Sequence, residues 1–278
     1  MKYFLAVCLA MATFSVNAQR LWADGFVGAL NYQGDLQDKR FTFSQSHLSG
    51  GAGVTYDFSD HFGARLHLLF GALSADDKNG RNAARNLNFK TSMFEVQAAL
   101  KYYIMPLNSH LLTPYVFAGI GVFHFNPYTY DTTNVKYFLR PLSTEGQGFL
   151  PGTKQYALTQ FSIPAGFGVK LSLTDNLNVG LEMGLRKTFT DYIDDVSTTY
   201  VDEFLLLSER GPKAVELAYR GGELPGGGPY PAGGDLRGGA RSLDWYYFTG
   251  LTVSFRIDAG ASRAAGFDSK SFACPPKM

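Results

Sequence analysis

Apolar side chains that fall on every second residue, connections that alternate between long and short, and an export-type leader together predict an all-β chain, a closed antiparallel transmembrane β-barrel of eight strands with long extracellular loops. Alternation marks the strands. The sorting of the connections sets an up-and-down order that brings both ends to one side, and the leader puts the chain in an exported compartment.

The leader consists of Lys2, an apolar run over 3–14, and then Ser15, Val16, Asn17 and Ala18, which fit cleavage before Gln19. The run is about a dozen residues, short of the roughly 20 that a helix needs to cross a bilayer. The expected organisation is a signal peptide over 1–18, an outer-membrane barrel over 19–257 and a periplasmic tail over 258–278. Cys8 lies inside the apolar run, too early for a lipid anchor. With Cys8 removed, Cys274 is the one cysteine left, so neither an intramolecular disulfide nor a cysteine-based metal site can form.

The strands follow in order. The first spans 25–32. In 48–58, Leu48, Ala52, Val54, Tyr56 and Phe58 alternate with Ser49, Gly51, Gly53, Thr55 and Asp57; after Ser59, Asp60 and His61 the pattern resumes with Phe62, Ala64, Leu66, Leu68, Phe70 and Ala72. Phe94, Val96, Ala98, Leu100 and Tyr102 form the next apolar row, and a mostly apolar stretch over 115–125 follows a loop with Pro106 and Asn108. A third hairpin sets Ile163, Ala165, Phe167, Val169 and Leu171 beside Leu177, Val179, Leu181, Met183 and Leu185, across a turn at Thr174, Asp175 and Asn176. The last strand spans 243–255. Its row of Tyr247, Leu251, Val253 and Phe255 resembles the terminal signal read by the barrel-insertion machinery, a partner during biogenesis.

The connections run 15, 3, 16, 8, 29, 3 and 54 residues, long ones on one rim and short ones on the other. In outer-membrane barrels the short side is periplasmic, which also places both termini there. In hydrocarbon a closed sheet satisfies its own backbone, and its outer face must be apolar against outer-membrane lipid. The polar faces then look inward. They carry Arg65, Glu95, Lys101, Lys170, Glu182 and Arg186, which form an expected charge network inside a lumen that side chains fill. Aromatics near strand ends, Tyr32, Phe58, Phe62, Tyr102, Tyr103, Tyr115, Trp245 and Tyr247, suit interfacial girdles. The competing architecture is a soluble sandwich or lipocalin-like barrel, whose apolar face points inward and whose loops need not sort by length.

With 25 Lys plus Arg against 24 Asp plus Glu, a nucleic-acid binder relying on strong positive charge is excluded. His47, His61, His67, His110 and His124 lack HExxH spacing, and the pairs Gly119 with Gly121 and Gly166 with Gly168 lack the third glycine of a dinucleotide site. These glycines relieve crowding in a narrow barrel, and no cofactor is implied. Asp191, Asp194 and Asp195, with Glu145 in another loop, offer oxygens of the kind calcium takes, though not at EF-hand spacing. Without a metal they would cap turns or pair with Arg186 and Lys187. A lipid A-modifying enzyme would need a base such as His67 or His124 beside a serine.

Three stretches are more particular than barrel physics requires: Asn31, Tyr32, Gln33, Gly34, Asp35 and Leu36; then 141–148, which includes Glu145 and Gly146; then 186–197, which includes Thr190, Asp191, Tyr192, Asp194 and Asp195. In this order, within an exported barrel, the chain resembles the PorG-like outer-membrane β-barrel family of the type IX secretion system, over residues from about 22 to 256. The resemblance implies a non-enzymatic barrel linking the outer membrane to the periplasmic ring of the PorK lipoprotein and PorN, in support of protein secretion. The Gly- and Pro-rich loop over 221–239 falls outside the resemblance and reads as an insertion. All three motifs sit at the long-loop rim, whereas ring contact requires the opposite one. The expected docking surface is therefore the turns at Asp60 and Asn108, the amino end near Trp22 and the tail after Arg256. The alternative is a general OmpX- or OmpA-like barrel for envelope integrity or adhesion.

Overall fold

The computed structural model describes residues 20–37, 42, 45–107, 110–239 and 242–257; the expected leader, the tail and Asn108 lie outside them. Eight long strands make the barrel: β1 (Arg20–Gln33), β2 (His47–Asp57), β3 (Phe62–Asp76), β4 (Asn88–Tyr103), β5 (Leu112–Phe125), then, after a small loop hairpin of β6 (Tyr128–Tyr130) and β7 (Lys136–Phe138), β8 (Thr159–Thr174), β9 (Leu177–Thr188) and β10 (Trp245–Ile257). Each pairs antiparallel with its neighbours. β1 lies between β2 and β10, in register from Trp22 opposite Arg256 to Gln33 opposite Trp245. Pairing of β3 with β4 closes the ring, so the barrel has no free edge.

Period two decides which side chains face out. Val54, Leu66, Phe70, Leu100, Ile120, Phe161, Phe167, Leu181 and Leu251 form an exposed apolar belt, while the residues between them are buried. A belt of this extent is stable only against hydrocarbon. The inward face is not uniformly polar. Toward the long-loop end Leu30, Leu73, Phe89, Met93, Phe123, Phe125, Tyr246 and Phe248 form an apolar core that continues into the loops. β1 starts five residues before the strand expected at 25, because its inward row carries Trp22, Phe26, Leu30 and Tyr32 opposite an outward row of Leu21, Ala23, Val27 and Ala29, so both faces are largely apolar and the alternation is weak.

Three of the expected girdle aromatics face inward instead: Tyr32, Tyr103 and Tyr115 are buried, each with its hydroxyl bonded to a carboxylate. Tyr247 does face outward but is covered, its hydroxyl bonding the backbone of Thr42. The long loop after β9 contains α1 (Glu203–Arg210) and α2 (Pro212–Ala218). Asp202 caps α1 by accepting from the Leu205 amide at 3.0 Å, and Pro212 starts α2 where no amide donor is needed. Helices this short form by docking, here through Leu206, Ala214 and Ala218 against Val201.

Candidate functional site: a filled lumen beneath a bonded loop cap

Two of the expected lumen pairs of opposite charge are close. Arg65 on β3 meets Glu182 on β9 at 2.5 Å, with the guanidinium 3.7 Å from the Phe117 ring centre, and Tyr115 donates to the same Glu182 oxygen at 2.8 Å. Arg186 reaches Glu95 at 3.3 Å and Gln97 at 3.2 Å, and Tyr246 donates to Glu95 at 2.9 Å. Lys101 and Lys170 have no carboxylate at ion-pair distance among the described residues. Their ammonium groups lie over rings, Lys101 at 4.3 Å from Tyr115 and Lys170 at 4.9 Å from Tyr103.

The balancing acids are Asp24 and Asp57, which the sequence reading did not single out. Asp24 accepts from Thr55 at 2.5 Å and from Ser254 at 2.6 Å, with His67 Nε2 at 2.9 Å; Asp57 accepts from Tyr103 at 2.8 Å. Glycines make room for the rings. A Cβ at Gly168 would lie 2.5 Å from Tyr115, and one at Gly166 2.7 Å from Phe117. The cavity among Trp22, Asp24, Asp57, Lys101 and Lys170 is about 10 Å³, close to the least that admits one water.

The three loop motifs converge above this plug. The Tyr32 hydroxyl lies 2.7 Å from Asp194 Oδ2 and 2.7 Å from Asp244 Oδ1. Asp244 also accepts from the Ile193 amide at 2.8 Å, and Asp194 from the Val196 amide at 2.9 Å. Glu145 accepts from the amides of Ser197 and Thr198, both at 2.9 Å. Asp195 accepts from Thr144 at 2.6 Å and Tyr156 at 2.7 Å, while Tyr192 stacks on Tyr156 at 4.9 Å. Thr190 accepts from the Asp244 amide at 3.0 Å, and Asn31 from Ser46 at 2.9 Å. Gly34 has a steric reason, since a Cβ there would lie 1.9 Å from both Asp244 Oδ1 and the Tyr32 oxygen. Gly146 sits at φ +81°, a backbone region that glycine enters without strain.

Arg237 ties these elements together from within the loop that read as an insertion. It is buried, donating to Glu145 at 2.9 Å, to the Asp195 carbonyl at 2.5 Å and to the Ala218 carbonyl at 3.0 Å. Its carbonyl in turn accepts from Arg85, whose guanidinium grips Asp77 at 2.7 and 2.8 Å and donates to the Asp35 carbonyl at 3.1 Å; the Asp35 side chain accepts from the Gly239 amide at 2.7 Å. Nothing in the sequence pattern marks Arg237, a single arginine among glycines. The acids do not pair with Arg186 and Lys187 as expected: Arg186 points into the lumen, and the Lys187 ammonium lies 6.0 Å from the Trp245 ring centre. Among the described residues no group of three or more His, Cys, Asp or Glu is arranged to hold a metal.

Acids outnumber bases here, and burial governs their protonation. It pushes Asp191, whose two buried oxygens have no hydrogen-bond partner among the described residues, up to about 8, with Asp35 and Glu145 adding repulsion and the nearby Ser197 partly offsetting it. Burial raises Asp195 to about 6 although Arg237 opposes it, and holds Asp194 and Asp244 well above the usual carboxylate range. Tyr32 has one proton to donate between two carboxyl oxygens, so one of Asp194 and Asp244 carries a proton of its own.

The chain matches the outer membrane protein β-barrel domain family over residues 4–202. Among solved structures it is similar to Ail, the attachment invasion locus protein of Yersinia pestis, at 8% identity and a TM-score of 0.41, covering 86% of this chain and 99% of that one. It is similar to neisserial surface protein A at 8% identity and a TM-score of 0.42, covering 85% and 97%. The outer membrane protein OprG of Pseudomonas aeruginosa aligns at 11% identity and a TM-score of 0.35, covering 86% and 96%. No curated protein matches.

Proposed function

This chain belongs to the outer membrane protein β-barrel domain family, and from that premise we propose that it is a non-enzymatic anchor of the type IX secretion system, linking the outer membrane to the periplasmic PorK and PorN ring. The carrying observation is the meeting of motifs 31–36, 141–148 and 186–197 in one buried network. The residues on which the PorG-like resemblance rests thus act as a unit. A filled lumen supports an anchor over a channel. Support for a role without catalysis comes from the histidines: His67 and Ser254 both contact Asp24 rather than each other, His124 contacts Thr159 at 3.0 Å, and His47, which does meet Ser74 at 2.6 Å, has no carboxylate among the described residues bonded to its ring to complete a triad.

Both termini lie in the periplasm in this reading, and docking uses the short-turn rim. Trp22 is buried, so it can meet a partner only from within the mouth of the lumen and not as an open surface. Single cysteines test the orientation: on intact cells Gly227→Cys labels and Asp60→Cys does not, and the reverse result inverts the barrel. A deletion strain tests the role. Lost cargo secretion, with PorK or PorN recovered by crosslinking from the wild type, is the expected result. Intact secretion with unchanged lipid A would leave the second reading, a small barrel for adhesion or envelope integrity, which is favoured by Phe204 and Leu236 standing 78% and 81% exposed on the cap. An altered lipid A mass would point to an enzyme instead.

A further inference from the structure

The short-turn end of the barrel carries a pocket that the plug leaves open. It holds about 520 Å³, and its walls include Arg20, Trp22, His110, Lys170, Asn178 and Arg256 against a single acid, Asp175. Its charge is therefore positive, in a chain that is nearly neutral as a whole. Two of its donors point to what would fill it. Lys170 is only 8% exposed, and its ammonium contacts the rings of Tyr103 and Trp22, at 4.9 and 5.6 Å, without donating a hydrogen bond to any described residue. The buried Asn178 Nδ2, eight residues on and also facing inward, has no acceptor among the described residues either. Asp57 lies behind Lys170, with one of its oxygens taken by Tyr103. A positive pocket with donors lacking acceptors is complementary to a group that only accepts, an ionised carboxylate.

We propose that this pocket receives an acidic side chain from a peptide segment of a periplasmic partner. The inference rests on the reading that the short-turn rim faces the periplasm. A peptide is favoured over a lipid headgroup by position. Trp22, Lys170 and Asn178 project from the inward faces of β1, β8 and β9, and the rest of the pocket wall includes His110 and Asp175 of the short turns, whereas bilayer lipid meets the outward faces.

The chain has two tryptophans, and Trp245 lies at the other end of the barrel. In the full chain carrying Trp245→Phe, Trp22 therefore reports on this pocket alone. In detergent micelles, a Gly-flanked hexaglutamate peptide should shift Trp22 emission saturably, while the matched hexaglutamine peptide and inorganic phosphate should not. Lys170→Met and Arg256→Gln should each weaken the peptide by about tenfold, the loss expected for one charge-assisted contact. Arg256 lies at the pocket edge, so its variant keeps the test valid if the lysine variant does not fold. No emission change, or phosphate acting as well as the peptide, overturns the proposal. Orientation is read separately. Peptide binding together with labelling of Asp60→Cys from outside cells would overturn the periplasmic assignment alone, and no binding with the expected labelling would overturn the pocket alone.

Discussion

In the lumen, Asp24, Asp57, Glu95 and Glu182 stand against Arg65, Lys101, Lys170 and Arg186, four acids to four bases, all on inward strand faces. In the cap, Glu145, Asp191, Asp194, Asp195 and Asp244 are all buried; Arg237 pairs with Glu145 and Asp195, while the buried guanidinium groups of Arg85 and Arg220 are engaged with Asp77 and Glu223. The two regions thus neutralise buried charge by different means, fixed cations in one and bound protons in the other. A balanced network depends little on pH, whereas one completed by protons depends on their supply.

Removing one arginine from each region separates them most sharply. Arg65→Met leaves Glu182 buried without its cation, and Arg237→Met does the same to Glu145 and Asp195; breaking a buried pair in this way costs about 3–5 kcal/mol. The damage should appear in different places. Arg65→Met should lower the urea midpoint of the barrel refolded into vesicles, with Arg65→Met/Glu182→Met recovering most of the loss. Arg237→Met should leave that midpoint close to wild type and expose the 189–244 loop to protease. If Arg237→Met lowers the barrel midpoint as far as Arg65→Met does, cap and lumen unfold as one unit.

Acidity probes the same contrast. Asp191, at about 8, and Asp195, at about 6, bind protons in the folded cap at pH values where an unfolded aspartate has lost them, and Asp194 and Asp244 are shifted in the same direction. More protons bound in the folded state means that stability is greatest near pH 4 and falls as pH rises toward 8. The opening constant of the cap should increase by up to about tenfold per pH unit for each proton released. Protease cleavage within 189–244 should therefore accelerate between pH 5 and pH 8, measured against an unfolded substrate to correct for the protease. A flat corrected rate would show that the cap carboxyls are not held protonated.

The lumen was more legible in the sequence than the cap, for a geometric reason. A period of two sends Arg65, Glu95, Lys101, Lys170, Glu182 and Arg186 inward whatever the partners are. Which of them meet depends on barrel closure, because β3 and β9 are not neighbours and Arg65 reaches Glu182 across the lumen. Asp24 escapes the pattern because it precedes the strand expected from 25, where both faces of β1 are largely apolar. In the cap, local motifs mark Tyr32, Glu145 and Asp194, but Arg237 belongs to no periodic pattern, and Asp244, inside the strand expected over 243–255, lies just before β10 begins at Trp245. The helices, eight and seven residues long, are too short for propensity to announce them.

The smallest effect expected tests close packing in each region by a single methyl. At Gly168 a Cβ would lie 2.5 Å from the Tyr115 ring and 2.7 Å from the Leu181 carbonyl oxygen, so backbone as well as ring must yield. At Gly34 it would meet the Tyr32 and Asp244 oxygens at 1.9 Å, and the methyl would push apart a hydrogen bond. Overpacking of this kind costs about 1–3 kcal/mol. Gly168→Ala should lower the urea midpoint of the barrel with the pH profile of loop cleavage unchanged. Gly34→Ala should steepen that profile while leaving the barrel midpoint near wild type, because the Tyr32 hydrogen bonds lower Asp194 and Asp244 and their loss leaves both carboxyls held more firmly protonated. A Gly34→Ala protein with the full wild-type profile would mean that the Tyr32 bridge does not govern the proton count of the cap, and that Asp191 and Asp195 account for it.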